Sequence, residues 1–433
     1  MSMLTPALRS LQDEVEALAR SRGLQFPEVV YEVVDPPQLN EIAALGGFPV
    51  RYPYWRFGME YDRLIKGHTY GLQRIYELVV NTRPVVAYLL NQNSPVEQKL
   101  VMAHVCGHAD FFANNAWFSH TDGNMMDGMA SHGARIRALS DRHGMEVVEA
   151  FIDRVHSVDN LVDHGAMARA RGRHGNAPPL ESSSGVGERD ILGRLLLDAP
   201  LTDWQQEVLS ILRDEAYYFL PQMLTKIMNE GWASFWHSRL MTSSLLRDAE
   251  VVDYADRHSG AMGGDDGPMN PYKLGIELFG AIDRSHGGGE EGQAKLFEVR
   301  AVHNDLTFVE NFMDDDFCRL HKLGETQEDR AMAREQLLSS LTNGGQPLIR
   351  MRGVDDGELS LEHCWSGQEL QMEAAEETLK NLGALWGGAV RLHSRLDNRA
   401  LLISCVQGEL SREYGDLLEP DAGARFDEQG EAA

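Results

Sequence analysis

The chain has 433 residues, of which 43% are hydrophobic and 24% are charged, and it carries a formal net charge of −26. This length predicts two or three domains, and the composition is that of an ordinary globular protein. Such a negative chain would repel a phosphate backbone, so we do not expect it to bind nucleic acid. It contains no apolar run of about 18 residues and no signal-peptide pattern at the N-terminus. We therefore expect a cytoplasmic protein that does not span a membrane.

The first part of the chain is predicted to be mainly helical. Residues 5–45 open with an amphipathic helix, because apolar residues recur every three or four positions over 8–18. An aromatic cluster follows at 52–58. Such clusters wall either a core or a pocket, and a core is the favoured interpretation. Helical patterns then cover 70–90 and 95–115.

His104 and His108 lie in the middle of the second of these patterns. The segment Ser94–Glu97 has the form of a capping box with proline at the first helical position, and Asn114 and Asn115 supply a stop. Residues four apart lie on one face of a helix, so both imidazoles can reach one metal ion. Because the chain has 16 histidines, a coincidental pair on one face is an equally open interpretation.

The residue after the first histidine argues against a common enzyme class. In a zincin, the motif His-Glu-x-x-His places a glutamate there, and this glutamate is the general base that activates water at the metal. Val105 occupies that position and cannot accept a proton. A metallopeptidase of the ordinary type is therefore disfavoured.

The middle of the chain alternates helices with polar loops. The glycine- and arginine-rich stretch 165–190 lacks periodicity and predicts a mobile loop or insertion. A helical pattern runs over 202–246, with a kink predicted at Pro221. A second glycine-rich loop covers 259–268, and a helix is predicted to start again at 270–272.

Glu230 and His237 stand out in this helical pattern because they lie among Met, Trp and Phe residues, where an unpaired polar group is costly to bury. They are seven residues apart, so they share a face but are separated by about 10.5 Å along the helix axis. We therefore do not expect the two residues to bind the same ion, and Glu230 is the better ligand candidate. His237 is then predicted to support a ligand or to contact substrate. The alternative is an ordinary surface ion pair of Glu230 with Lys226.

A third polar segment holds His303, Asp305 and Glu310 within a few residues. One imidazole and two carboxylates suit zinc, iron or general acid–base catalysis, although the same residues are common in plain turns. The residues that remain are predicted to have supporting or substrate-contacting roles, as Glu310 does; they are Glu215, Trp232, His258 and Tyr272.

From residue 346 onwards the pattern changes to short strands around a helix. We predict a mainly helical domain over 1–345, a small α+β domain over 346–411, and an acidic, disordered tail over 412–433. The predicted elements of the α+β domain are strands at 348–352, 358–362, 390–393 and 401–406, with a helix at 370–385.

Together these segments resemble the stage V sporulation protein R (SpoVR) family. The resemblance implies a link to spore cortex formation or to a stress response, since the family also occurs in bacteria that do not sporulate. It further implies a complex with a serine kinase of the PrkA type and a von Willebrand-like partner, while the family has no settled reaction. The matching segments are Tyr-Trp-Arg-Phe-Gly58, Ala-His-Val-Cys-Gly-His108, Asn-Glu-Gly-Trp-Ala233, Asn-Pro-Tyr-Lys-Leu-Gly275 and His-Asn-Asp305.

A second resemblance concerns the site. Two histidines on one helix and an Asn-Glu-Gly-Trp-Ala segment on a later one are similar to the helix pair of gluzincins, whose downstream glutamate is the third ligand. This implies that His104, His108 and Glu230 hold a divalent transition metal, zinc or alternatively iron, with a fourth position open to water. The base that Val105 cannot supply would then come from another element, and the candidates are Asp110, His303 and Asp305.

Three functions remain open at this point. The first is a metal-dependent hydrolase of amide or peptide-like bonds. The second is a non-catalytic, metal-binding regulatory or scaffold protein that works with the kinase complex. Val105 favours the second function, and the density of polar groups among aromatic ones favours the first. A redox function with iron in a His/carboxylate site is a third reading.

Overall fold

The computed structural model describes residues 4–69, 77–166, 176–178, 180, 188–262 and 271–417. The helices are α1 Pro6–Ser21, α2 Pro36–Ala44, α3 Trp55–Thr69, α4 Pro95–Asn114, α5 Met125–His143, α6 Met145–His156, α7 Ile191–Asp198, α8 Asp203–Leu224, α9 Lys226–Leu240, α10 Val251–Met262, α11 Pro271–Ser285, α12 Gly289–Val302, α13 Asp305–Phe312, α14 Asp315–Leu320, α15 Gln327–Leu341 and α16 Met372–Trp386. The strands are β1 Val29–Val34, β2 Glu77–Val80, β3 Val85–Leu90, β4 Ile349–Asp355, β5 Glu358–His363, β6 Val390–Leu396, β7 Arg399–Val406 and β8 Glu409–Leu417.

The chain divides into two compact units. One consists of Met1–Ala134 and Gln222–Leu338, and the other consists of Arg135–Pro221 and Ser339–Ala433. The division differs from the predicted boundary at 345, because α6 and α7 pack against α16 in the C-terminal part. Sequence periodicity identifies a helix but does not reveal which partner covers its apolar face.

The first unit contains a three-stranded sheet with the strand order β1-β3-β2. β1 pairs with β3 in parallel, and β2 pairs with β3 antiparallel. The prediction of a helix over 70–90 is therefore wrong for 77–90, and β1 was missed. The physical reason is that the run Val85–Leu90 is almost wholly buried, so nearly all of its residues are apolar. A short continuous apolar run is compatible with a buried strand and with a buried helix segment, and periodicity does not distinguish the two.

Helix α4 begins and ends where the sequence predicts. The backbone N–H of Ser94 donates to the Glu97 carboxylate at 2.6 Å, and the N–H of Glu97 donates to Oγ of Ser94 at 3.3 Å. The helix ends at Asn114, and nearly all of its residues are buried. The capping box thus fixes the start of the helix that carries both histidines.

Glycines allow the helices of this unit to approach closely. A Cβ atom on Gly107 would lie 2.6 Å from Cα of Ala233, so α4 and α9 touch along their backbones at this point. On the other side of α9, a Cβ atom on Gly231 would lie 2.4 Å from Cα of Gly275 in α11. Only glycine fits such contacts, since real Cβ atoms essentially never come within 3.0 Å of such a neighbour.

Helix α8 passes through Pro221 without ending, and the break falls at Thr225, whose φ and ψ are −129° and 21°. The predicted helix over 202–246 is thus two helices. The helix predicted at 270–272 begins at Pro271, and α10 extends to Met262, into the predicted loop at 259–268. The rest of that loop, and most of the predicted loop at 165–190, lie outside the described residues.

The second unit contains a five-stranded sheet with the strand order β4-β5-β6-β7-β8. β5 and β6 are parallel and are joined through α16, and the other neighbours are antiparallel. The α+β prediction is confirmed, but disorder from 412 is wrong for 412–417, which belong to β8. The side chains of this edge strand are almost all exposed, so its composition is polar although its backbone pairs with β7.

In the part of the chain that the structure describes, no helix combines the length and the apolar character needed to cross a membrane.

Candidate metal centre

Three side chains converge between α4 and α9. The side chains of His104 and His108 are 7% and 8% exposed, and Oε2 of Glu230 lies 3.6 Å from Nε2 of each histidine. One ligand atom from each residue lies within 4.8 Å of the others. Ligand atoms bound to one tetrahedral zinc ion at about 2.0–2.2 Å are roughly 3.3–3.6 Å apart, and the two distances from Glu230 to the histidines match this spacing.

The other nitrogen of each imidazole is occupied. Nδ1 of His108 donates a hydrogen bond to Oδ1 of Asn229 at 2.9 Å, which leaves Nε2 of His108 as a lone-pair donor. Nδ1 of His104 lies 2.9 Å from Nδ1 of His237. Metal-binding histidines are characteristically held through the nitrogen that does not bind the ion. His237 thus contacts Nδ1 of His104, whereas Glu230 faces Nε2 of the same ring.

The charges at the site favour an ionised glutamate and one neutral histidine. Burial raises the pKa of Glu230, but the charges of His108 and His104 outweigh burial and leave that pKa below its ordinary value. Burial, together with the charge of His104, lowers the pKa of His108 to about 4. Burial also opposes the charged form of His104, but the carboxylates of Glu230 and Glu77 raise its pKa overall. His108 is consequently unprotonated near neutral pH, the form that binds metal.

Glu77 is a neighbour of this centre that the sequence did not indicate. It is the first residue of β2, it is half-buried, and its charge interacts with those of His104 and Glu230. Burial raises the pKa of Glu77. It was missed because it lies in the segment predicted as a helix, and no local pattern marks it. Val105, in contrast, is fully buried in the core.

Asp110 lies on α4 but has other partners. Its carboxylate accepts hydrogen bonds from the backbone N–H of Gln25 at 2.7 Å and from Nε1 of Trp232 at 2.9 Å, and Nε of Arg300 lies 3.5 Å away. Burial raises the pKa of Asp110 to about 6. Within the described residues it makes no hydrogen bond or ion pair with either histidine of the centre. Asp110 and Trp232 thus link α4 to α9.

Asp305 caps the helix that carries Glu230. Its two carboxylate oxygens accept hydrogen bonds at 2.8 Å from the backbone N–H groups of Ile227 and Met228, in the first turn of α9. Those N–H groups have no partner within the helix, which is why a carboxylate is held there. Nδ1 of His303 lies 3.1 Å from Oγ1 of Thr307. Among the described contacts, the structure does not bring His303 or Asp305 to the histidine pair.

The remaining predicted residues are dispersed. Glu215 is buried in α8 and belongs to the second unit. Glu310 is exposed on α13. His258 and Tyr272 lie in α10 and α11, and their side chains are outside the described residues.

The comparisons with known proteins identify the family. The chain matches the family described as SpoVR like protein over residues 3–178 and 168–338, and the SpoVR-like C-terminal domain over residues 347–397. It therefore belongs to the SpoVR family, as the sequence motifs predict. A relative described as "Uncharacterized protein YcgB", from Escherichia coli (strain K12), is 27% identical over 473 residues, which span 90% of this chain and 92% of that protein. No solved structure matches the chain.

Proposed function

We propose that this member of the SpoVR family is a metal-dependent hydrolase of amide or peptide-like bonds, with zinc held by His104, His108 and Glu230. The observation that carries the proposal is the position of Oε2 of Glu230, 3.6 Å from Nε2 of both histidines. Two imidazoles and one carboxylate form the donor set of several zinc hydrolases, and iron is the alternative metal for these ligands.

The protein side chains in this proposal hold and orient the centre. Asn229 and His237 fix the two rings through their Nδ1 atoms. Bound zinc would polarise a carbonyl group and make water a better nucleophile. Three protein ligands leave a fourth position for water or substrate. We place this activity in the cytoplasm, and the family resemblance implies a link to spore cortex formation or a stress response.

The alternative function is a non-catalytic, metal-binding regulator or scaffold of a complex that contains a PrkA-type serine kinase. One observation favours it. Val105 is buried in the core at the position where zincins carry their general base, and the carboxylates of Asp110 and Asp305 are engaged elsewhere. In this case the metal would serve only to join α4 and α9.

The metal content of the purified protein tests both functions. We expect protein purified without a histidine tag to carry about one transition-metal ion per chain, measured by elemental analysis. His104→Ala combined with His108→Ala should remove the ion, because two of the three ligands are lost. The control is His303→Ala, since His303 contacts Thr307 outside the centre. Wild-type protein without metal, and with no gain in thermal stability when zinc is added, would contradict both functions.

A second measurement separates the hydrolase from the scaffold. Metal-loaded protein is incubated with tryptic peptides from a bacterial lysate, and mass spectrometry detects new termini. We expect new termini that depend on His104 and His108. Bound metal without cleavage of these peptides would favour the scaffold.

A further inference from the structure

Helix α9 reaches solvent beside the candidate centre along one short face. Between 226 and 237, Lys226 is exposed, Asn229 and Glu230 are half-buried, and every other residue is buried. Residues three and four apart lie on one face of a helix, so these three share a face. On α4, the run 101–112 is buried throughout. Of the two ligand helices, the part nearest the centre is therefore open to solvent along the face that begins with Lys226.

Lys226 places a positive charge one helical turn from a proposed ligand. It is four residues from Glu230, or about 6 Å along the helix axis, and Cβ atoms at this spacing are about 5–6 Å apart. Side chains of a helix lean towards its N-terminal end, so the Glu230 side chain lies over the turn that Lys226 begins. In agreement with this geometry, the charge of Lys226 acts on the Glu230 carboxylate.

The ammonium group of Lys226 does not neutralise a described carboxylate. The sequence left open an ion pair with Glu230, but Oε2 of Glu230 faces the two histidines instead. The buried carboxylate of Asp305 accepts hydrogen bonds from backbone N–H groups in the first turn of α9. Among the residues that the structure describes, no acidic side chain forms an ion pair with Lys226. In a chain with a net charge of −26, such an ammonium group beside the centre is suited to attract an anion.

The spacing indicates which anion would fit. In a peptide, the carbon of the terminal carboxylate lies one residue beyond the last amide carbonyl carbon, about 3–4 Å away with standard bond lengths. A charge-assisted hydrogen bond to an ammonium group adds about 2.8 Å. Lysine has a flexible four-carbon stem, so its ammonium group can meet a carboxylate held at this distance from the centre. A substrate whose last amide carbonyl lies at the centre thus brings its carboxylate within reach of Lys226.

We propose that Lys226 binds the carboxylate of the substrate, and that the preferred substrates are peptides or peptide-like amides whose last residue has a free carboxylate. The inference rests on the proposed hydrolase and names its substrate class. The oxygen of water bonds to the last amide carbonyl carbon as the C–N bond breaks, and one proton of the water passes to the leaving nitrogen. The products are a peptide acid shortened by one residue and a free amino acid.

A binding experiment tests Lys226 without relying on catalysis. 3-Mercaptopropionate binds zinc through its sulfur and carries a carboxylate, and 3-mercaptopropionamide is the same molecule with an uncharged amide. We expect zinc-loaded wild type to bind the acid about 10-fold more tightly than the amide, the lower range for a hydrogen bond to a charged group. Lys226→Gln should lose this preference because glutamine is uncharged, and Lys226→Arg should keep part of it. Isothermal titration calorimetry measures all of these affinities.

Lys66→Gln is the matched control for the binding experiment. Lys66 is also an exposed helical lysine of the first unit, but it lies on α3 and pairs with Asp62 at 2.5 Å. This variant should prefer the acid as strongly as wild type does. An equal loss of preference in Lys66→Gln would assign the effect to the overall charge of the protein and overturn the role of Lys226.

The position of cleavage tests the substrate class. Zinc-loaded wild type is incubated with tryptic peptides from a bacterial lysate, either with free carboxylates or after chemical amidation. We expect mass spectrometry to show loss of the last residue, and more of it from the free acids than from the amidated peptides. Lys226→Gln should raise the KM for the free acids about 10-fold, because it removes a contact made when the substrate binds. Cleavage at internal bonds would overturn the substrate class.

The outcomes separate this inference from the proposed function. Equal binding of the acid and the amide by zinc-loaded wild type, or an unchanged preference in Lys226→Gln, would overturn the role of Lys226 and leave the metal centre intact. Zinc-loaded wild type that prefers the acid but cleaves no peptide would overturn the hydrolase. Wild-type protein without zinc would overturn the metal centre itself, and the metal content is therefore measured before any variant is made.

Discussion

The helix pair α4–α9 and the C-terminal sheet bury different kinds of side chain. Helix α4 buries His104, His108 and Asp110, whereas the sheet buries residues such as Leu361 and Ile403. An apolar side chain gains about 1.5–3 kcal/mol on burial, and a polar group loses free energy unless it is hydrogen-bonded. The sheet therefore relies more on apolar burial, with one buried polar pair between His363 and Ser394 at 3.0 Å, and the helix pair depends on each of its buried polar groups having a partner.

The two regions also differ in how their elements touch. In the C-terminal unit, the nearest neighbour of a Cβ atom on Gly383 of α16 would be Sγ of Cys405, at 3.1 Å, which is the end of a side chain. At Gly107 the neighbour is backbone, which cannot rotate away. The helix pair is thus the less tolerant of the two contacts, and this rigidity holds the histidines against Glu230.

The largest effect is expected from the loss of a ligand. Glu230→Gln should weaken zinc binding by more than His237→Ala, because Glu230 faces both Nε2 atoms and His237 contacts only Nδ1 of His104. The loss for His237→Ala should be about 10- to 100-fold. Competition with a zinc-chelating dye measures both affinities. Equal losses would contradict the geometry.

A smaller effect is expected from one added methyl group. Gly107→Ala should destabilise the protein by about 1–3 kcal/mol and lower zinc affinity, because Ala233 must move for the new Cβ atom. Gly383→Ala is the matched control in the other region, and its gain in helix propensity of up to about 1 kcal/mol offsets a mild clash. Urea denaturation of both variants measures the difference. If Gly107→Ala were as stable as Gly383→Ala, the contrast between the two regions would fail.

The smallest effect is a dependence on pH. The pKa of His108 is about 4 in the folded chain, below its ordinary 6.5, so the unfolded chain binds more protons between these values. The contribution of His108 is complete above pH 6.5 and is lost as the pH falls towards 4. Between pH 7 and pH 6 the loss is below about 1 kcal/mol. His108→Gln should flatten the urea-denaturation profile of chelator-treated protein over this range, and an unchanged slope would exclude His108 as its source.

The sequence correctly predicted those structural features that depend on residues close to one another in the chain. The capping box of α4, the stop at Asn114 and the alternating strands around α16 depend on residues close in sequence, and the structure has them. Short apolar or polar runs were assigned wrongly. The run Val85–Leu90 reads as either element, and β8 is held by backbone pairing that its exposed side chains do not reveal.

The candidate site was only partly predictable for a related reason. The spacing of His104 and His108 is a property of one helix, and Glu230 was found because a glutamate among aromatic residues is unusual. Glu77 becomes a neighbour only when β2 packs against α4, and the hydrogen bonds of Asp305 form across 77 or 78 positions of sequence. Such contacts depend on the tertiary fold, which no single-sequence pattern encodes.

The cap on α9 also restrains the position of the N-terminal end of this helix. Asp305 is fixed to the N–H groups of Ile227 and Met228, and Glu230 follows Met228 by two residues, or about 3 Å along the axis. These hydrogen bonds tie the first turn of α9 to the corner between α12 and α13, and so help to hold Glu230 in its position facing the histidines. A residue outside the candidate centre thus contributes to the placement of one of its proposed ligands.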